Sequence, residues 1–331
     1  MKPPPGEFEL IARLCADLRL SRRTLVGPGD DCAVIRRPRG AQLFTIDSMV
    51  EGVHFKLEWG TPQQLGYRAL AVNLSDVAAM GGVPGACVVN LAIRPGLAAA
   101  FFDRLYAGLI DAAVDAKVDV VGGNITSADQ LAITIALLGD AGPATLGRDL
   151  ARPGDEIFVT GTMGDAAAGL KVLDGKIAAS GAAQKFLIKR FLEPSARIAA
   201  GRKLARIRPV PAAIDISDGL CQDLGHILER SSVGAEIDVE AIPVSPAYRA
   251  VVGDDRELAL YGGDDYELLF CLRPGHTEKQ LTRALGVGVR RIGRILPRRH
   301  GLTLRDRGGV FHPRAGATGW NHLRARGGRV K

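Results

Sequence analysis

The chain has 331 residues, a formal net charge of +7, 47% hydrophobic and 24% charged residues. That length exceeds one ordinary core and predicts two domains, and the composition excludes a disordered, collagen-like or disulfide-framed protein. No apolar run reaches transmembrane length and no basic-then-apolar leader opens the chain, so a cytoplasmic protein with no membrane partner is expected.

In chain order, residues 42–46 read as a strand ending at Asp47, and 61–80 as a helix started by Thr61-Pro62. An apolar strand over 87–93 precedes an amphipathic helix over 97–116. A strand over 118–121 runs into Gly122-Gly123, and another covers 131–138. Pro153-Gly154-Asp155 punctuates a boundary near 148–153. The alternation then restarts: a strand over 156–160, helices over 164–173, 182–192 and 195–205, a strand over 212–216, a helix over 219–230 and a strand over 266–272. The pattern predicts a mixed α/β fold in two domains, 1–150 and 151–331.

The five cysteines form no CxxC pair and the six histidines no HExxH, which predicts buried reduced thiols and no transition-metal centre. Much of the basic excess lies in Arg290, Arg291, Arg294, Arg298, Arg299 and the tail, with no interleaved aromatics to stack bases. A solvated basic surface is the expectation, with no nucleic-acid partner.

The acidic residues instead fall at strand ends and glycine turns: Gly29-Asp30-Asp31, Thr45-Ile46-Asp47, Asn73-Leu74-Ser75-Asp76, Asp215-Ile216-Ser217-Asp218-Gly219 and Gly262-Gly263-Asp264-Asp265. One Asp beside a Gly is ordinarily a turn former or helix cap. Five such clusters, several following apolar runs, point to a shared site for hard, oxygen-seeking cations at the carboxyl ends of strands. Magnesium takes few carboxylates per ion, so aspartates from distant segments imply several ions bridging a polyphosphate. The stretch from Gly169 to Ile177 has the wrong spacing for a P-loop, and no protein-kinase signature or GxSxG elbow is present.

Gly29-Asp30-Asp31-Cys32-Ala33, the run from Ile46 to Phe55, and the run from Ala71 to Gly81 together resemble the N-terminal signature of the thiamine-monophosphate kinase family. Val121-Gly122-Gly123-Asn124, Arg152-Pro153-Gly154-Asp155, Val159-Thr160-Gly161, the run from Ala213 to Leu220 and the run from Gly262 to Leu268 continue the resemblance in order.

The resemblance implies a two-domain fold of the aminoimidazole ribonucleotide synthetase kind, with a homodimer formed through the N-terminal domains. It implies ATP as co-substrate, several Mg2+ ions, and direct in-line transfer of the γ-phosphoryl group to thiamine monophosphate, the final step of thiamine diphosphate biosynthesis. Residue by residue, it implies metal contacts from Asp30, Thr45, Ile46, Asp47, Asp76, Asn124, Asp215 and Asp218. Nucleotide contacts are implied for Tyr106, Gly123, Asn124, Arg148 and Ser217, and substrate contacts for His54, Asp264 and Trp320. Asp47, Asp76 and Arg148 would support the transfer, with no covalent nucleophile. Many members carry Asp where this chain has Asn124, and often Glu at the position of Asp264. Asp31 and Asp265 are read as structural partners.

Each position has a plainer alternative: His54 as a core histidine, Trp320 as a packing anchor, Tyr106 as part of a helix stripe. Other enzymes on the same fold are disfavoured. A selenophosphate synthetase wants a reactive cysteine in a Gly-rich N-terminal segment, a hydrogenase-maturation dehydratase wants a C-terminal cysteine, and aminoimidazole ribonucleotide synthetase lacks the 47–55 signature.

Overall fold

The computed structural model describes residues 7–26, 34–36 and 40–313. Its contacts divide the chain into one unit of Met1–Thr145 with Leu192–Arg202 and another of Leu146–Phe191 with Lys203–Lys331. The crossing after Thr145 precedes the expected boundary by five residues, and 192–202, which the sequence reading gave to the second half, packs with the first. Its Ala196 and Ile198 sit against the first unit's core, and Gln64 Nε2 donates to Glu193 Oε1 at 2.8 Å.

The first unit begins with α1 (Glu7–Ala16) and a short antiparallel pair, β1 (Thr24–Val26) and β2 (Val34–Ile35). Then follow β3 (Gln42–Val50), α2 (Pro62–Ala79), β4 (Val83–Ile93), α3 (Ala99–Ala116), β5 (Asp119–Ser127) and β6 (Ala132–Asp140). The longer strands form one sheet in the order β3-β6-β4-β5, antiparallel except for β4 with β5.

Thr61 caps α2 through a capping box with Gln64, and Pro62 occupies the first turn, as the Thr-Pro start signal predicts. Leu70, Leu74 and Val77 of α2, with Leu105 and Leu109 of α3, share a core with Ile133, Ile135 and Leu137 of β6 and Val89 and Leu91 of β4. The opposite sheet face carries Phe44, Ile46 and Val88, exposed at 71%, 61% and 42%.

Two strands run further than their sequence signals. β3 continues through Asp47 to Val50, paired with β6 over its whole length. β5 passes through Gly122-Gly123 to Ser127, because a Cβ on Gly123 would lie 2.1 Å from the Val89 carbonyl of neighbouring β4. The glycine here is a close-approach residue within a strand and does not end it.

The second unit contains β7 (Glu156–Thr160), α4 (Asp165–Leu173), α5 (Gly181–Leu192), α6 (Ile198–Leu204, which straddles the crossing at Arg202), β8 (Ala212–Asp215) and α7 (Leu220–Ser231). It continues through β9 (Val233–Asp238), α8 (Pro246–Val252), α9 (Glu257–Tyr261), β10 (Leu268–Leu272), α10 (Glu278–Leu285), β11 (Val289–Pro297), β12 (Leu302–Asp306) and β13 (Gly309–Phe311). Its seven strands form one sheet in the order β13-β12-β9-β11-β7-β10-β8, antiparallel except for β9 with β12. Leu220, Leu224, Ile227 and Leu228 bury one face of α7 against Ile214, Val159 and neighbouring core residues. The P-loop-like stretch is settled here too: Gly169 lies inside α4. Among the described residues no helix is long and apolar enough to cross a membrane.

Candidate functional site

Alternation along β3 sends Leu43, Thr45, Asp47 and Met49 to the face covered by α2, and Phe44, Ile46 and Ser48 to the other. Thr45 Oγ1 donates to Asp76 Oδ2 of α2 at 2.5 Å. Asp47 is exposed two residues further on the same face. Thr45, Asp47 and Asp76 therefore form one oxygen-rich edge, while the Ile46 side chain points away from it and only its backbone lies within it. Asp30 and Asp31 lie outside the described residues.

Asn124 is elsewhere. β5 is the far edge of the sheet from β3, three inter-strand steps or about 14 Å away. Its side chain donates from Nδ2 to Asn90 Oδ1 at 2.9 Å. Within this unit Asn124 is thus not brought to Thr45, Asp47 and Asp76. It joins Tyr106 and Gly123 instead, around a cavity of about 690 Å³. Most of the other lining is aliphatic, including Leu14, Val89, Val121 and Ile125. Burial raises the Tyr106 phenol well above its ordinary range, so it stays protonated. A largely apolar hollow with one phenol and two amides, Asn90 and Asn124, suits a flat heterocycle.

His54 closes a tight turn after β3. Its Nδ1 accepts from the Val50 amide at 3.0 Å, so in the neutral ring the proton sits on Nε2. Its carbonyl accepts from Arg68 at 3.2 Å.

In the second unit, Asp215 is buried at the carboxyl end of β8, and Ser217 and half-buried Asp218 follow in the loop before α7. A second loop, between α9 and β10, lies directly against it. Asp264 N donates to Ser217 O and Tyr266 N to Ile216 O, both at 2.8 Å, while Ile216 N donates to Glu267 O at 2.8 Å. A Cβ on Gly263 would lie 2.3 Å from Ser217 O, so only glycine permits this contact. The structure thus brings Asp215, Ser217, Asp218 and Asp264 together. β10 starts at Leu268, two residues later than its sequence pattern, because Asp264 and Tyr266 adopt left-handed backbone.

Arg148 lies where the chain runs beside β8, since the carbonyl of the preceding Gly147 accepts from Ala213 N, two residues before Asp215. The Arg148 carbonyl accepts from Ser231 Oγ, at the opposite end of α7 from Asp218. The helix has 12 residues, a span of about 18 Å. Trp320 lies outside the described residues.

Family models match two stretches of the chain: "AIR synthase related protein, N-terminal domain" over residues 29–141, and the C-terminal domain of the same description over residues 152–304. A thiamine-monophosphate kinase of Salmonella typhimurium is 43% identical over 300 residues, covering 87% of each chain. The crystal structure of thiamine-monophosphate kinase from Stenotrophomonas maltophilia superposes with a TM-score of 0.78 at 35% identity, covering 91% of this chain and 95% of that one. AaThiL complexed with AMPPCP and TMP gives a TM-score of 0.74 at 32% identity, over 96% and 97% of the two chains. The chain belongs to the thiamine-monophosphate kinase family.

Two residues that the sequence reading passed over shape this kinase-family site. Asp223, in the first turn of α7, accepts at Oδ2 from the amides of Ser217, Asp218 and Gly219 at 3.0, 3.1 and 3.0 Å. Burial, and then the charges of Asp215 and Asp218, push its pKa up to about 8. Ligand atoms of Asp218, Asp223 and His226 lie within 4.8 Å of one another. An Asp four residues after a Ser-Asp-Gly turn was the available signal, but helix-start acids are too common to single it out.

The other is Arg190 of α5. It donates to Glu267 Oε1 at 3.0 Å and to the Asp265 carbonyl at 3.4 Å, and lies 3.8 Å from Asp165. Burial raises the pKa of Asp165, against the lowering effect of bonds from Ser245 and Thr162. Two buried carboxylates, Asp165 and Glu267, and the Asp265 carbonyl thus face one guanidinium behind the Gly262–Glu267 loop.

Proposed function

We propose that this chain transfers the γ-phosphoryl group of ATP to thiamine monophosphate, giving thiamine diphosphate, by direct in-line attack of the acceptor phosphate. Its place among thiamine-monophosphate kinases supports the substrates, and AaThiL, which matches nearly the whole chain, is a complex with AMPPCP and TMP. The observation that carries the reading is the oxygen-rich edge of Thr45, Asp47 and Asp76.

The donor set fits magnesium. Every ligand implied by resemblance is a hard oxygen, and only His226, beside Asp218 and Asp223, would add a nitrogen. Burial, and then the charges of Asp215 and Asp218, raise the Asp223 pKa, and a cation among these carboxylates would offset their mutual repulsion. Asp47, Asp76 and Thr45 in one unit, and Asp215 and Asp218 in the other, would hold the ions, with Asp30 and the Ile46 carbonyl in the same role by family resemblance. Bound magnesium would neutralise the phosphates and hold the reacting oxygens in line.

The acceptor is already an anionic phosphate oxygen, so no strong general base is needed. Burial pushes Cys87 and Cys221 up to about 12, which leaves these thiols protonated and unsuited to a phosphocysteine intermediate. The cavity lined by Tyr106, Gly123 and Asn124 suits the adenine end of the nucleotide. Ser217 belongs beside the phosphates, and Arg148 is assigned there by resemblance only. Asp264 suits the aminopyrimidine ring of thiamine, whose amine can donate to a carboxylate, with His54 and Trp320 as further substrate contacts by resemblance.

The sheet face with exposed Phe44, Ile46 and Val88, of which Phe44 and Val88 also border that cavity, is assigned to a second copy of the chain, since exposed large apolar side chains call for a partner. A coupled assay with ATP, magnesium and thiamine monophosphate tests the reaction. Turnover with thiamine monophosphate and none with free thiamine is the expected result; ATP use that ignores the acceptor overturns it.

A further inference from the structure

Four non-glycine residues among those described have positive φ: Lys117, Ser232, Asp264 and Tyr266. Lys117 and Ser232 are helix C-caps, where the left-handed conformation is ordinary. Asp264 (φ 68) and Tyr266 (φ 50) cap nothing and flank a single residue, Asp265. For a bulky side chain such backbone is unfavourable, and it persists only where the surroundings over-determine it.

The surroundings do so here. Asp265 is 1% exposed, and its carboxylate accepts from Gly164 N at 2.7 Å and Ala166 N at 3.4 Å, at the start of α4. Its carbonyl accepts from Arg190. Glu267 is held by the same Arg190 and, through Oε2, by Thr160 Oγ1 at 2.7 Å. The flanking amides of Asp264 and Tyr266 are tied to Ser217 and Ile216. With residues 264 and 266 both left-handed, their side chains meet: Tyr266 Oη donates to Asp264 Oδ1 at 3.1 Å. The tyrosine is 9% exposed, so its ring is packed and only the hydroxyl reaches the half-buried carboxylate. A phenylalanine would fill the same space. What the hydroxyl adds is direction.

We propose that Tyr266 is a positioning residue that orients the Asp264 carboxylate toward the aminopyrimidine ring of the acceptor, whose amine can donate to it, with Asp265 and Arg190 holding the backbone that this geometry needs. The proposal rests on the reading of Asp264 as an acceptor contact. It predicts a defect selective for the acceptor, because the hydroxyl acts through its bond to Asp264.

The test is steady-state kinetics of Tyr266→Phe, Asp264→Asn and the double variant, with thiamine monophosphate and ATP varied separately. Tyr266→Phe is expected to raise KM for thiamine monophosphate about tenfold, the scale of one hydrogen bond to a charged group, with KM for ATP and the melting temperature unchanged. Asp264→Asn is expected to raise the same KM, and the double variant to be no worse than Asp264→Asn alone, since the hydroxyl acts through that carboxylate. A raised acceptor KM in Asp264→Asn with none in Tyr266→Phe overturns the positioning role and leaves Asp264 in place. An unchanged acceptor KM in Asp264→Asn removes the contact itself and the proposal with it. Equal increases in both KM values, together with a lowered melting temperature, assign Tyr266 a structural role only and also overturn it.

Discussion

Thr45 Oγ1 donates to Asp76 Oδ2 at 2.5 Å, joining the edge strand β3 to helix α2 beside Asp47. Asp47 is exposed, so Asp47→Asn keeps the shape and removes one charge where few packing contacts are at stake. Turnover is expected to fall by about 100-fold or more, while stability changes by no more than about 0.5 kcal/mol. Parallel kinetics and urea titrations check this, and full activity at ordinary magnesium would remove the cation-binding role of the β3 edge.

Asp223 serves three amides at once. Asp223→Ala leaves them without that acceptor and is expected to cost about 3 kcal/mol in a urea titration. Asp223→Asn, which keeps one carbonyl oxygen, is expected to cost less than half as much. A loss below about 1 kcal/mol in the alanine variant would show that the loop before α7 is held by other means.

Burial pushes Asp265 up to about 8, against the opposing influence of Arg190 and the Gly164 amide. The folded value lies above the ordinary 3.8, so between the two the native chain keeps a proton that the unfolded chain has released. The stabilisation is complete below the lower value and lost as pH rises through the upper one. Wild-type stability is expected to decline between about pH 5 and pH 7, by up to about 1.4 kcal/mol per pH unit from this group. Asp265→Asn does not titrate, so chemical denaturation across that range should give a flatter profile. Parallel profiles for the two proteins would assign the proton elsewhere.

The sheet face assigned to a second copy yields a hydrodynamic prediction. Wild type is expected to run as a dimer in light scattering, and Phe44→Glu with Ile46→Glu as a folded monomer. A wild-type monomer at micromolar concentration would remove the assignment.

Much of this was legible in the sequence, for reasons that differ by residue. The helix over 62–79 announced itself through Thr61, Pro62 and its apolar spacing, all local signals. The Ser217–Asp218 and Gly263–Asp264 clusters were visible as acids beside glycines, but that they interlock through Asp264 N and Ser217 O is a long-range pairing no local pattern encodes. Gly122-Gly123 misled, since a glycine needed for close approach to Val89 looks the same as one that turns the chain. Asp264 and Asp265 are chemically identical neighbours, and only the alternation of backbone conformation sends one toward the surface and the other into the interior. Arg148 and Asn124 were grouped by resemblance, and Asn124 stands on the far edge strand from Thr45 and Asp47.

The return of residues 192–202 to the first unit makes the chain hard to dissect. A fragment ending at Thr145 would lack the apolar cover that Ala196 and Ile198 give its core, and the partner of Gln64 at Glu193. Neither unit is a contiguous cassette, so gene fusions, split reporters or limited proteolysis that cut between residues 146 and 191 would sever a tether the first unit needs. Insertions are better placed at the exposed Asp306–Gly309 turn, where they interrupt no such passage.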